Sequence, residues 1–120
     1  MLESYKELIV WQKSMTLAEE IYYVTNSFPV KEQFALTSQL RRAAISVPSN
    51  IAEGYGRNTS KNYLQFLFIS KGSLFELETQ IELSRRLKYI SDEVYNGIEE
   101  KIIEISKMLY VLIVKLKNRE

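Results

Sequence analysis

The last third of the chain carries an apolar repeat that leaves little choice of secondary structure. Seven apolar residues follow one another at alternating steps of three and four positions: Tyr95, Ile98, Ile102, Ile105, Leu109, Leu112 and Leu116. Residues at these steps lie on one side of an α-helix and can face a partner helix. Ser91, Asp92 and Glu93 precede the repeat, an order typical of a helix start. The pattern predicts a helix over residues 91–117.

Three earlier segments show the same helical spacing. Only two Pro and four Gly occur, and both prolines lie in the first half of the chain, which leaves few places where a helix must stop. The spacing predicts helices over residues 5–27, 31–55 and 60–88. Short connections make sequential helices antiparallel, so we expect an all-α, up-down-up-down antiparallel four-helix bundle that fills residues 1–120 as one domain.

In three of the predicted helices the sequence must be examined for which residues face the core. In the first helix we expect the core-facing stripe to be Leu8, Trp11, Met15, Ala18 and Tyr22. The third and fourth helices carry a surplus of apolar residues: Leu64, Phe68, Ile69, Phe75, Leu83, Ile103, Tyr110, Ile113 and Val114. A wide core-facing stripe would account for part of this surplus. We favour a second seam that packs against another subunit, which predicts a homo-oligomer.

The composition excludes several classes of active site. None of the 120 residues is Cys or His, which removes thiolate metal sites, cysteine nucleophiles and the usual general base. Helical bundles that hold two metal ions use Glu-x-x-His pairs, so that site is excluded too. An all-carboxylate magnesium site at Glu78 and Glu82 or at Glu100 and Glu104 is the alternative, but such pairs usually form a solvated surface. We expect no enzyme, no catalytic residue, no metal and no cofactor.

The start of the chain and its apolar runs bear on cellular location. Met1 leads directly into the charged, amphipathic stretch from Glu3 to Lys13, unlike a signal peptide. The longest apolar run, which contains Tyr110 to Val114 and begins at Met108, is far shorter than the roughly 20 residues that cross a bilayer. We therefore expect a cytoplasmic protein without membrane contact.

A twelve-residue segment of the second helix identifies a family. The segment is Ala43-Ala-Ile-Ser-Val-Pro-Ser-Asn-Ile-Ala-Glu-Gly54, and further matches occur at 8–13, at Phe28-Pro29 and at 72–78. It resembles the four-helix-bundle family that includes the proteins encoded by intervening sequences inside bacterial 23S rRNA genes, the S23 family. One departure is Lys88-Tyr89, at a turn where family members often have Gly.

The resemblance also implies partners. The family includes, by similarity, the accessory protein of diversity-generating retroelements, a pentameric barrel of such bundles that binds nucleic acid and a reverse transcriptase. For this chain the resemblance implies a homopentamer. It further implies RNA or DNA, and a reverse transcriptase or another protein, as partners.

The same helix contains a proline and a polar stripe. Pro48 has no N–H to donate to the carbonyl of Ala44, and we expect a bend there in which Ser46 or Ser49 bonds the freed carbonyl. Polar residues at helical spacing suggest a structural network at a bundle or subunit seam, with Asn50 and Glu53 bonded to Arg42 or to a facing helix. The predicted network residues are Gln39, Arg42, Asn50 and Glu53. A ligand or nucleic-acid site is the alternative.

Positive charge collects in the middle of the chain. Residues 31–58 hold four cations against two anions, and residues 59–90 hold five against three. Cations at helix C-termini, including Lys107, Lys115, Lys117 and Arg119 in the fourth helix, are also expected from the helix dipole alone. The residues predicted to bind nucleic acid flank helices two and three: Arg41, Arg57, Lys61, Arg85, Arg86 and Lys88. Tyr55 and Tyr63 could stack on bases near them, although a core role is favoured.

These observations together predict a non-enzymatic, oligomeric helical bundle. Its predicted role is a scaffold that binds the backbone of RNA or DNA, where an oligomer would multiply each small basic patch. The alternative is a protein–protein adaptor without nucleic-acid contact.

Overall fold

The computed structural model describes residues 3–119, and the regular structure in that range is helical throughout. The four α-helices are α1 (Ile9–Thr25), α2 (Leu36–Tyr55), α3 (Ser60–Arg86) and α4 (Asp92–Lys117). Two short 3-10 helices, Tyr5–Glu7 and Val30–Glu32, occupy positions that the sequence prediction gave to the starts of α1 and α2. Met1, Leu2 and Glu120 lie outside the described residues. The predicted all-α class is confirmed.

Ion pairs between α1 and α4 show the direction of the helices. Lys13 lies 3.2 Å from Glu104, and Lys101 lies 2.6 Å from Glu20, so the two helices run in opposite directions. Helices adjacent in the chain also contact one another, α1 with α2, α2 with α3 and α3 with α4. These contacts are compatible with the expected up-down-up-down bundle, and the longest dimension of the molecule is 46 Å. No helix of the described range is long and apolar enough to cross a membrane.

Aliphatic side chains from all four helices fill the centre of the bundle. Within the apolar repeat of α4, only Tyr95 and Leu112 are half-buried, and its other members are buried. Burial of these side chains supplies the main stabilisation of the fold. The largest fully buried side chains are Leu17, Ile21, Leu40, Ile51, Leu67, Leu74, Leu77, Ile81, Ile98, Ile105, Leu109 and Leu116.

The buried face of α1 differs from the predicted one. Met15 and Tyr22 are each 40% exposed and Trp11 is half-buried. The buried residues of this helix are instead Val10, Ser14, Leu17, Ala18, Ile21 and Thr25. Ser14 and Thr25 fit an apolar core because each hydroxyl donates, at 2.7 Å, to the carbonyl four positions earlier. Because these two buried residues are polar, the spacing of apolar residues alone did not predict the core-facing side of α1.

Helix α2 continues through Pro48 without a break. The Ser70 hydroxyl of α3 donates to the carbonyl of Val47 at 2.8 Å, which ties α3 to α2 directly beside the proline. Among the described residues, neither Ser46 nor Ser49 bonds the carbonyl of Ala44. The structure thus does not contain the hydrogen bond expected for the freed carbonyl.

Helix α3 ends in a left-handed turn at Lys88. The Lys88 N–H donates to the carbonyl of Arg85 at 3.0 Å, and the Tyr89 N–H donates to the carbonyl of Ser84 at 2.9 Å. This pair of bonds is the Schellman arrangement, in which glycine usually takes the left-handed position. Lys88 has a φ of 64°, the only positive value at a non-glycine position in the described range. The lysine therefore stands where the family resemblance leads us to expect glycine.

Candidate nucleic-acid and assembly surfaces

The six cations predicted to bind nucleic acid lie at opposite ends of the bundle. Arg57 and Lys61 lie next to the connection between α2 and α3. The other end, where α1 meets α2 and α3 meets α4, carries Arg41, Arg85, Arg86 and Lys88. Because the helices span most of a 46 Å molecule, much of its length separates the two groups. One chain therefore presents these cations as two groups rather than one.

Arg41 forms hydrogen bonds with residues at the C-terminal end of α1. Its Nε donates to the Thr25 hydroxyl at 2.9 Å, and its Nη2 donates to Oδ1 of Asn26 at 3.1 Å. The guanidinium also lies 4.7 Å from the centre of the Tyr22 ring. Arg41 therefore joins α2 to α1, and phosphate would have to compete with these contacts.

Acidic side chains likewise surround Arg85 and Arg86. Arg85 lies 2.7 Å from Glu82 and 3.6 Å from Asp92, and Arg86 lies 2.9 Å from the same Glu82 oxygen. Hydrogen bonds from the two arginines lower the pKa of Glu82 to about 2. The Arg86 side chain remains 73% exposed, and Lys88 is exposed as well. Much of the positive charge at this end is thus compensated within the chain.

The opposite end gathers cations from two helices. Arg57 pairs with Glu53 at 3.3 Å and lies 4.5 Å from the centre of the Phe66 ring. Lys61 is exposed in the first turn of α3. Because α4 also ends here, its exposed terminal cations belong to the same end: Lys115, Lys117 and Arg119. Sequence reasoning left these three out of the site, since the helix dipole alone accounts for cations at that position.

The predicted polar network lies on the surface of α2. Gln39, Arg42 and Glu53 are exposed, and Asn50 is half-buried. Asn50 donates to the Ser46 carbonyl at 2.9 Å, and the Ser46 hydroxyl bonds that of Ser73 at 2.7 Å. Among the described residues neither Asn50 nor Glu53 bonds Arg42, so the expected link is absent within one chain. The location of these residues at a subunit seam stays a prediction.

Tyr55 and Tyr63 pack against each other near the α2–α3 connection. Their ring centres lie 6.3 Å apart, with the rings nearly perpendicular. Burial raises the pKa of Tyr63 to about 12. Both rings are half-buried, so stacking on a base would have to use their exposed edges.

Carboxyl groups meet between α3 and α4. Glu99 shares a hydrogen bond with Glu78, and this contact together with burial raises the pKa of Glu99 to about 7. Because of this raised pKa, Glu99 keeps its proton at pH values where an ordinary carboxyl has lost it. Within residues 3–119 no group of three or more acidic side chains is placed to hold a metal ion.

The predicted apolar surplus is largely exposed on α3 and α4. Phe75 and Ile103 line a cavity of about 290 Å³ between the two helices. Other exposed members of the surplus are Phe68, Ile69, Leu83 and Tyr110. Leu64 and Ile113 are buried, because their positions face the core, so their assignment to the surplus was wrong.

A second apolar surface lies between α1 and α2. It is a groove of about 600 Å³ whose lining is almost entirely apolar. Trp11 packs edge-on against Tyr5, with ring centres 5.3 Å apart. The lining residues are Tyr5, Trp11, Met15, Ala18, Glu19, Tyr22, Ile45, Pro48, Ser49 and Ala52. The sequence analysis missed this groove because it assigned Trp11, Met15 and Tyr22 to the core.

These features define a four-helix-bundle protein with apolar lateral surfaces and cations concentrated at its ends. The chain belongs to the family of 23S rRNA-intervening sequence proteins, whose family model matches residues 6–111. A crystal structure of a protein with unknown function from the S23 ribosomal protein family of Bacteroides thetaiotaomicron superposes with a TM-score of 0.81. The two sequences are 30% identical over 88% of this chain and 98% of the other. No curated protein matches the chain significantly. The resemblance found in the sequence is thereby confirmed.

Proposed function

We propose that the chain is a non-enzymatic scaffold that forms a homo-oligomer, with five copies as the expected number, and binds the phosphate backbone of RNA or DNA. The observation that carries assembly is the exposed apolar surface of α3 and α4, where Phe75 and Ile103 line one cavity. Monomeric proteins rarely expose large contiguous apolar patches. A second copy that covers this surface would remove it from water.

The nucleic-acid part of the proposal rests on the end of the bundle where α2 and α4 finish and α3 begins. Lys61, Lys115 and Arg119 are exposed there and form no ion pair with another described residue. Each phosphate contact releases counterions, and the effect adds with the number of contacts. An oligomer presents several copies of this basic end, which raises the avidity for a polyanion.

A salt titration with two charge-matched variants tests this proposal. One variant replaces Lys61, Lys115 and Arg119 by Gln, and the other replaces Lys31, Arg86 and Lys88 at the opposite end. We expect the wild type to bind single-stranded RNA and duplex DNA more weakly as salt rises. The first variant should lose affinity and reduce the logarithmic salt slope by about 0.7–0.9 for each phosphate contact removed. The second variant removes the same charge from the other end, which includes the predicted residues Arg86 and Lys88, and it should lose less affinity. A larger loss in the second variant would place the phosphate contacts at that end and overturn the assignment to Lys61, Lys115 and Arg119.

A protein–protein adaptor is the second candidate. Four of the predicted cations are already engaged within the chain, since Arg41 bonds Thr25. Arg57, Arg85 and Arg86 pair with carboxylates. This engagement reduces the charge available for phosphate. An intact oligomer that binds neither RNA nor DNA at low salt would exclude the scaffold for nucleic acid and favour the adaptor.

A further inference from the structure

We propose that the α1–α2 groove receives the α3–α4 apolar face of a second copy, so that copies join head to tail. The groove is the surface described above around Trp11, Met15 and Ile45. We call the opposing surface the α3–α4 ridge and define it by Phe68, Phe75, Ile103 and Tyr110. This inference rests on the proposed assembly and names the two surfaces that meet.

The order of the helices places the two surfaces on opposite sides of the molecule. Each helix contacts its neighbours in the chain, and α4 closes the bundle against α1. The α1–α2 face and the α3–α4 face therefore point in opposite directions. A two-fold interface joins the same patch on both copies, so it would cover one apolar face and leave the other in water. A head-to-tail contact covers both faces with a single type of interface.

The shapes of the two surfaces are complementary. Small residues, Ala18, Ser49 and Ala52, line part of the groove and leave a volume of about 600 Å³. The ridge offers large side chains, of which Phe75 is 54% and Tyr110 is 65% exposed. A side of this 46 × 24 × 21 Å molecule has room for the roughly 800 Å² that each partner buries in a stable interface.

One charge at the groove and one at the ridge are opposite in sign. Glu19 is the one charged residue among those that line the groove, and it forms no ion pair with another described residue. Lys107 borders Phe75 and Ile103 on the ridge and is likewise without an ion pair in the described range. Glu78 lines the same cavity, where it contacts a carboxyl of its own chain. Opposite charges around an apolar contact favour one orientation of docking over others. A second copy of this chain therefore fits the groove in both chemistry and charge.

A pair of complementary variants tests the head-to-tail contact. Ile45→Glu places a carboxylate in the groove, and Phe75→Glu places one on the ridge. Both positions are about half exposed, at 44% and 54%, so the isolated chain should still fold, as circular dichroism would verify. Val30→Glu, at an exposed apolar position in the connection between α1 and α2, is the matched control. Light scattering should show monomers of 14.1 kDa for the first two variants and the wild-type mass for the control.

Mixing the two variants gives the sharpest result. The Ile45→Glu copy keeps an intact ridge, and the Phe75→Glu copy keeps an intact groove. Their mixture should therefore form a heterodimer and assemble no further. A mixture that stays monomeric, or an Ile45→Glu variant that assembles like the wild type while Phe75→Glu does not, would overturn the head-to-tail contact. A wild type that is monomeric at high concentration would overturn the proposed oligomer itself.

Trp11 provides a readout that needs no substitution. It is the only tryptophan of the chain and lines the groove in a half-buried position. Dilution of the wild-type oligomer through dissociation should shift its fluorescence to longer wavelength, because water then enters the groove. Emission that stays constant while light scattering reports dissociation would contradict the involvement of the groove.

Discussion

Gly54 lies so close to Tyr63 that a β-carbon added at residue 54 would come within 2.8 Å of the ring atom Cδ1. The same β-carbon would lie 3.0 Å from Cβ of Phe66 and 3.1 Å from the Tyr63 carbonyl. A β-carbon and a backbone carbonyl cannot move aside as the end of a flexible side chain can. The glycine that ends the twelve-residue segment therefore sets how closely α2 approaches α3.

Replacing Gly54 by Ala should destabilise the chain by about 1–3 kcal/mol, because the added methyl overpacks the α2–α3 seam. Gly72→Ala is the matched control on the neighbouring helix, where a β-carbon would meet nothing within 4 Å. The free energy of unfolding of this control should rise by about 0.5–1 kcal/mol, because Ala has a higher helix propensity than Gly. Urea denaturation at one protein concentration measures both, and equal stabilities would show that the close approach is not restrictive.

Replacing Lys88 by Gly should stabilise the chain by about 0.5–1 kcal/mol. Lys88 has a φ of 64°, and relief of this strain exceeds the entropy that glycine adds to the unfolded state. Lys88→Ala also removes the charge but keeps a β-carbon in the left-handed conformation, so it should not increase the stability of the chain. Thermal unfolding that gives the same midpoint for the Gly and Ala variants would contradict this account of the turn.

Replacing Asn50 or Glu53 by Ala should change the free energy of unfolding of the isolated chain by less than about 1 kcal/mol. Among the described residues Asn50 bonds Ser46 alone, one turn earlier, and the Glu53 side chain is 60% exposed and pairs with Arg57. Local hydrogen bonds and exposed ion pairs contribute little. The measurement is unfolding at a concentration below assembly. A loss well above 1 kcal/mol would restore the buried network predicted from the sequence.

The contact between Glu78 and Glu99 predicts a pH dependence of stability. The pKa of Glu99 is raised from 4.5 to about 7 in the folded chain, so the folded state binds this proton more tightly than the unfolded state. The stabilisation by the proton is complete below pH 4.5 and is lost as the pH rises to about 7. Glu99→Gln should weaken this decline in the melting temperature, because the amide stays neutral at every pH.

Two comparisons separate this effect from other titrations. Glu100→Gln changes an exposed carboxyl on the same helix and should leave the decline unchanged. Glu82 acts in the opposite direction and at lower pH, because its pKa is about 2: its stabilisation is present above pH 4.5 and is lost as the pH falls. A Glu99→Gln profile that is superimposable on the wild type between pH 4.5 and pH 7 would refute the role of Glu99.

Several features of the fold follow from local sequence alone. The apolar repeat of α4 was sufficient to predict the helix and its buried side. The predicted start of α4 at Ser91 is capped, as is the start of α3. Thr59 accepts a hydrogen bond from the N–H of Asn62, and Ser91 accepts one from Val94, both at 3.1 Å. These features could be predicted because spacing and capping involve residues within one or two helical turns. The twelve-residue segment was likewise sufficient to identify the family to which the chain belongs.

The tertiary structure decided which faces are buried and which charges are free. Ser14 and Thr25 enter the core because their hydroxyls bond their own backbone, and Trp11 and Met15 thereby line a groove. Periodicity shows that a helix is amphipathic, but packing with distant residues selects its buried register when polar side chains can satisfy themselves. Likewise, Arg41 is held by a residue 16 positions away in the chain. A cation is available for a ligand only if no other helix supplies it with a partner, and sequence spacing does not contain that information.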